Sequence, residues 1–219
     1  MAASDAKQRR HHFMLVHGMC HGAWRCGAPA TAPALDMAGC GAHPARLADV
    51  RTFEEYSRPL LGAVAALPAG EQVVLVAHSH GGYSVALAVE RFPDKVAVAV
   101  FVTASMPAVG RPMAATSDED LTLGLMLIKP ANAFTTGNPD EVVMRDEKLL
   151  TEEGYGSSWR VFVVVEENCG IPAEFQRRMV AQSPGVGVRV ITGADHMAML
   201  SRALELVQLL IRIADHSQA

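Results

Sequence analysis

Ser79 stands between two histidines in the run Val73-Val-Leu-Val-Ala-His-Ser-His-Gly-Gly-Tyr83. A serine hydroxyl is a weak nucleophile unless a neighbouring base takes its proton. This one follows a run of small and β-branched apolar residues, Val73 to Ala77, and precedes two glycines and a helical pattern from Tyr83 to Phe92. Strand, sharp turn and helix is the layout of a nucleophile elbow, which lifts the hydroxyl clear of the backbone. Of the usual G-x-S-x-G, Gly81 is kept and the first glycine is replaced by Ala77, the smallest substitute. His196, in the late turn Gly193-Ala-Asp-His196, is the candidate base. The backbone amides of His80, directly after the serine, and of Met19, in an early glycine-containing loop, are the candidate donors to an oxyanion. Serine, histidine and two amides are the parts needed for acyl transfer.

The elements that must position these parts alternate along the chain. His12 to His17 reads as a first buried strand and ends in the Met19 loop, and Ala34 to Met37 closes a short second strand. Thr52-Phe-Glu-Glu55 fits a capping box ahead of apolar residues at helical spacing, Phe53, Tyr56, Leu60, Leu61, Val64 and Leu67. After the elbow come a strand over Val96 to Thr103, a helix over Glu141 to Leu150 and a strand over Arg160 to Val165. A helix over Pro172 to Gln182, a strand over Val186 to Thr192 and a Ser-capped helix over Ser201 to Ala214 close the chain. The strands are continuously apolar, which suits a mostly parallel sheet with helices on both faces, an α/β fold. In such a sheet the reactive residues belong at the carboxyl ends of strands, where Ser79, Met19 and His196 fall. Met106 to Asp140, interrupted by Pro107, Gly110, Pro112, Pro130 and Pro139, reads as an insertion within a single domain spanning 1–219.

Composition narrows the function. The chain has 219 residues, half of them hydrophobic, a formal net charge of -4 and a sequence pI near 6.1. That charge argues against a nucleic-acid or anionic-membrane surface. No apolar run approaches the roughly 18 residues of a membrane span, and Met1 to Arg10 lacks the apolar core of a secretory signal. A cytoplasmic location is the expectation. Cys20, Cys26, Cys40 and Cys169 form no C-x-x-C pair and read as thiols.

The order serine, acid, histidine is that of α/β-hydrolases. The chain resembles one group of them, the plant methylesterase family, which includes the salicylate-binding esterases, the rice PIR7-type esterases and the hydroxynitrile lyases. The stretches that carry the resemblance are His12-Phe-Met-Leu-Val-His-Gly18 with Cys20-His-Gly-Ala-Trp24; Thr52-Phe-Glu-Glu-Tyr-Ser57; Val76-Ala-His-Ser-His-Gly-Gly82; Phe92-Pro-Asp-Lys-Val96; Gly154-Tyr-Gly-Ser157; Ile171-Pro-Ala-Glu-Phe-Gln176; and Gly193-Ala-Asp-His-Met-Ala-Met199. The resemblance implies cofactor-free hydrolysis of small carboxylic methyl esters such as methyl jasmonate, methyl salicylate or methyl indole-3-acetate. It places the nucleophile on Ser79, the base on His196 and the oxyanion donors on the amides of Met19 and His80.

Three departures bear on that expectation. The family acid, an Asp before the Ile-Pro segment, falls on Asn168. Glu166 and Glu167 are neighbouring carboxylates, but strand alternation turns Glu167 the other way and sets Glu166 one residue pair back. Only about ten residues separate the Trp24 region from Leu35, where the family has a long helix, and the cap insertion is reduced to 106–140. A hydrolase-fold protein that binds small molecules without efficient turnover is therefore the alternative. The lyases are a poorer match, since they carry Lys after the histidine and Thr after the first-loop histidine, where this chain has Met197 and Gly18. His17, His21, His78 and His80 do not form a metal-binding pattern and read as pocket or supporting residues. The expected partner is a small-molecule ester, with a homodimer left open.

Overall fold

The computed structural model describes residues 11–18, 21–23, 33–118 and 141–217. Met19, Trp24, Leu125 to Pro130 and most of the 106–140 insertion lie outside them. Six strands form one all-parallel sheet: β1 (Phe13–Val16), β2 (Ala34–Leu35), β3 (Val73–His78), β4 (Val96–Val102), β5 (Arg160–Val165) and β6 (Gly187–Ile191). Their order is β2-β1-β3-β4-β5-β6, so β3, which leads into Ser79, is central. All six residues of β3 are buried, as are all six of β5.

Alternation along the strands divides the interior into two cores. Leu75, Ala77, Ala99, Phe101, Phe162 and Val164 point to one face. There they meet α1 (Phe53–Ala65), α2 (Gly81–Arg91) and α4 (Ala173–Ala181), through Leu60, Leu87 and Met179 among others. Val74, Val76, Val98, Val100, Val161, Val163 and Val165 point to the other face. That face is closed by Leu206, Leu209, Leu210 and Ile213 of α6 (Ala203–His216). Both faces are thus covered, which is why the strands are apolar throughout rather than alternating. Two short helices complete the α-helices among the described residues, α3 (Ala115–Asp118) and α5 (Ala198–Ser201).

Several expectations change in detail. Thr52 caps α1 by accepting from the Glu55 amide at 3.2 Å, but the Glu55 carboxylate reaches past Thr52 to the Arg51 amide at 2.8 Å. The segment Glu141 to Leu150 is a series of turns, not a helix. The buried Glu141 carboxylate accepts from the Phe53 amide at 2.6 Å and the Met144 amide at 3.0 Å, so it serves the first turn of α1 and folds its own segment back. Ser201 does not cap the last helix. It ends α5 and donates its hydroxyl to Asp195, and α6 begins after Arg202 without a side-chain cap.

Candidate active site

Ser79 follows β3 directly and has φ of 53°. A non-glycine residue rarely adopts this left-handed conformation, and at a tight strand-to-helix turn it marks stored backbone strain. The elbow is held from two sides. Its carbonyl accepts from the Ser105 amide at 2.9 Å and the Gly82 amide at 3.2 Å. A Cβ at Gly82 would overlap the Ser105 carbonyl oxygen, and a Cβ at Gly18 would lie 2.7 Å from that of Ser79. The loop after β4 and the loop after β1 therefore press directly on the turn.

His196 arrives from the loop after β6, and its Nε2 lies 3.2 Å from Ser79 Oγ. The loop is fixed at three points. His78 Nε2 donates to the His196 carbonyl at 2.8 Å, the Glu167 amide donates to Ala194 O at 3.1 Å, and the Asp195 carboxylate accepts from the Met197 amide at 2.9 Å. Asp195 is thus a turn residue rather than the missing acid. Burial is the main reason that the His196 imidazole is held below the ordinary histidine range, with His21 lowering it further and Asp195 opposing weakly. The ring is neutral at pH 7.

Asn168 occupies the third position. It is buried, and its Nδ2 lies 2.9 Å from His196 Nδ1 and 2.6 Å from Thr103 Oγ1. Its Oδ1 accepts from the amides of Gly170 at 2.8 Å and Ile171 at 2.9 Å. These partners decide the direction of the bond to histidine. The amide oxygen must face two backbone N–H groups, so the NH2 group faces the imidazole and donates to Nδ1. Nδ1 then carries no proton, and the neutral ring holds its proton on Nε2, toward Ser79. Turning the amide over would set NH2 against two N–H donors and forfeit both bonds, on the order of 1–3 kcal/mol. A base needs the opposite arrangement, with Nδ1 protonated and Nε2 free to take the serine proton.

Neither glutamate substitutes for the acid. Glu166 is exposed and its carboxylate pairs with Arg177 at 2.9 Å. Glu167 is also exposed, while Asn168 turns inward. Among the described residues the His196 ring bonds only to Asn168 and Ser79. Met19 lies outside the described residues. Thr103 was not legible as a site residue. It is fully buried at the end of β4 with φ of 40°, an outlier for a β-branched side chain. Its position at a carboxyl strand end was the available signal. Gln176 was also missed. Its side chain bonds both the amide and the carbonyl of Val165 at 2.9 Å and so fixes the end of β5 ahead of Asn168.

The remaining histidines support the site. His17 donates from Nδ1 to Gly18 O at 2.7 Å and accepts at Nε2 from the Met37 amide at 3.1 Å, which ties the β1 loop to the end of β2. Burial pushes His78 down to about 3 and His80 down to about 4. The His80 ring is packed among Phe53, Tyr56 and Tyr83, and its buried Nδ1 has no partner among the described residues. Such groups bind protons in the unfolded chain but not in the folded one between their folded values and about 6.5. Stability is therefore complete above about pH 6.5 and falls below it, by about 1.4 kcal/mol per pH unit for each histidine in its window. The urea midpoint is expected to drop between pH 7 and pH 4.5, with a shallower drop in His80→Phe. A flat midpoint over that range would contradict this reading.

A profile of the α/β-hydrolase fold matches residues 11–126. The chain is 46% identical to the esterase PIR7B of Oryza sativa subsp. japonica, with 93% of this chain and 96% of the relative covered. It is 35% identical to methyl jasmonate esterase 1 of Vitis vinifera, over 95% of this chain and 98% of that one. The crystal structure of polyneuridine aldehyde esterase superposes with a TM-score of 0.75 at 29% identity, covering 94% of this chain and all of that one. The alignment with the rice esterase spans 261 positions against 219 residues here, so the relative has segments that this chain lacks. Across nearly its whole length, then, the chain belongs to the plant methylesterase family of α/β-hydrolases.

Proposed function

We propose that the protein is a slow carboxylic ester hydrolase acting on small methyl esters through Ser79 and His196. The observation that carries this is the 3.2 Å approach of His196 Nε2 to Ser79 Oγ on a strained elbow. Ser79 Oγ attacks the ester carbonyl as His196 Nε2 takes its proton, and the amides of His80 and Met19 receive the negative charge on the oxygen. His196 returns the proton to the departing methoxide, leaving methanol and an acyl-serine. Water, deprotonated by the same histidine, releases the acid. No cofactor enters. Each cycle must begin from the minor His196 tautomer, so Asn168 lowers the rate without removing the machinery. The methyl esters of jasmonate, salicylate and indole-3-acetate are the candidate substrates. We read the chain as one domain over 1–219, with 106–140 as the remnant of the cap insertion.

The bond from Asn168 Nδ2 to His196 Nδ1 favours a second reading, a protein that binds small molecules with turnover near background. Hydrolysis of p-nitrophenyl acetate and methyl salicylate by the wild type and Ser79→Ala separates the two. A Ser79-dependent rate, lost by at least about a hundredfold in the alanine variant, supports the hydrolase. Equal rates for the two proteins would remove it.

A further inference from the structure

One carboxylate that the mechanism does not use ties down the loop after β1, the loop whose sequence holds Met19. At the start of that loop the Gly18 carbonyl accepts from His17 Nδ1 at 2.7 Å. On its far side the Ala23 amide donates to Asp36 Oδ1 at 2.6 Å. Asp36 follows β2 directly, and its other oxygen, Oδ2, accepts from the Ala42 amide at 3.0 Å. The carboxylate therefore joins the loop after β1 to the loop after β2. The second loop closes tightly round it, since a Cβ at Gly41, which has φ of 53°, would overlap the carboxylate. Burial by itself would raise the Asp36 carboxyl. The amides of Ala23 and Ala42 outweigh it, with smaller help from His17 and His43, and hold the group below the ordinary carboxylate range. Asp36 is ionised at neutral pH, and both bonds are of the stronger, charge-assisted kind.

We infer that Asp36 is a positioning residue for the reaction, setting the loop that supplies the Met19 amide to the oxyanion, a role that rests on the proposed hydrolysis at Ser79. An oxyanion donor acts only when it points to where the charge develops, and a displacement of about 1 Å costs on the order of a hundredfold in rate. The start of the loop packs on the nucleophile itself, because a Cβ at Gly18 would lie 2.7 Å from that of Ser79. Met19 falls between Gly18 and Ala23 in the chain, so anchoring Ala23 restricts the residues between from the second side. The anchor has to be a carboxylate. At Asn168 a single oxygen takes both backbone amides, which leaves the other position free to be NH2. At Asp36 each oxygen takes a different amide, so a side-chain NH2 would face the N–H of either Ala23 or Ala42.

Asp36→Asn keeps the shape and removes one acceptor. Its kcat on p-nitrophenyl acetate is expected to fall about tenfold to a hundredfold, with KM changing by less than about threefold. Two ketones separate the oxyanion from the rest of the pocket. Phenyl trifluoromethyl ketone takes Ser79 Oγ onto its carbonyl carbon, the π pair moves to oxygen, and the serine proton passes to His196 Nε2. Its affinity is expected to fall by about the same factor as kcat. Acetophenone stays a ketone and is expected to bind as it does to the wild type. A kcat within about twofold of wild type overturns the inference, as does an equal weakening of both ketones. The Ala23 amide gives a reading that needs neither turnover nor a folded variant. In 1H–15N spectra of the wild type its proton is expected at low field and slow to exchange, and a freely exchanging proton at an unbonded shift overturns the inference. A wild type without Ser79-dependent hydrolysis would remove the proposed function, and the Ala23 amide would still decide whether Asp36 holds the loop.

Discussion

Asn168→Asp is expected to raise kcat on small methyl or aryl esters by about 10^3- to 10^4-fold, the reverse of the loss seen when the acid of a serine-protease triad is made an amide. The exchange is nearly isosteric, and every bond has a place to go. One carboxylate oxygen keeps the amides of Gly170 and Ile171, the partners of the present Oδ1. The other replaces Nδ2, facing Thr103 Oγ1 at 2.6 Å and His196 Nδ1 at 2.9 Å. The Thr103 hydroxyl can change from acceptor to donor by rotation, because a hydroxyl does both. His196 cannot keep Nδ1 bare against a carboxylate oxygen, so its proton moves to Nδ1 and Nε2 becomes the base for Ser79. The carboxylate also stabilises the imidazolium that forms as the serine proton is taken. Steady-state kinetics of the two proteins on one ester check this, with KM changing much less than kcat. A rate within threefold of wild type would show that residue 168 does not set the histidine tautomer.

Gly82→Ala is expected to cost about 3 kcal/mol or more of stability and most of the ester hydrolysis. Small-to-large changes in a packed interior cost about 1–3 kcal/mol when side chains can shift. Here the added methyl meets a backbone carbonyl, that of Ser105, which cannot swing away like a side-chain end. Ser105 can yield only by moving the loop after β4, which breaks its amide bond to the Ser79 carbonyl at 2.9 Å. That bond helps hold Ser79 at φ of 53°, so stability and reactivity should fail together. Urea denaturation and esterase assays of the same preparation test it. A variant as stable as wild type would mean that the first turn of α2 and the loop after β4 are not in the contact described. Gly110, whose Cβ would meet nothing within 4 Å, lies at a turn and shows that not every glycine here answers to crowding.

The sheet was legible because its signal is dense. Val73 to Ala77 and Arg160 to Val165 are valine-rich runs between turn residues, and strands buried on both faces leave little else possible. The elbow was legible because strand, serine and two glycines adjoin in the chain. The join between Asn168 and Thr103 was not, since it links residues 65 positions apart through side chains at two strand ends. The turns at Glu141 to Leu150 were misread for a similar reason. Their apolar spacing suits a helix, but a buried carboxylate serving Phe53 overrides it. Ser201 looked like a cap on composition alone, and its hydroxyl was already taken by Asp195. The replacement of the family acid by Asn168 was visible in the sequence. What it does to His196 required the two backbone amides of Gly170 and Ile171, which fix the orientation of the side-chain amide.

That consequence is open to one direct measurement. In protein carrying 15N-labelled histidine at pH 7, the nitrogen shifts and one-bond couplings of His196 report which ring nitrogen holds the proton. Assignment comes from comparison with His196→Gln. A neutral ring protonated on Nε2, with Nδ1 as acceptor, is the predicted result, changing to Nδ1–H in Asn168→Asp. A wild-type ring protonated on Nδ1 would contradict the account at its centre, because Asn168 would then be presenting its oxygen to the histidine and Ser79 would already face a competent base.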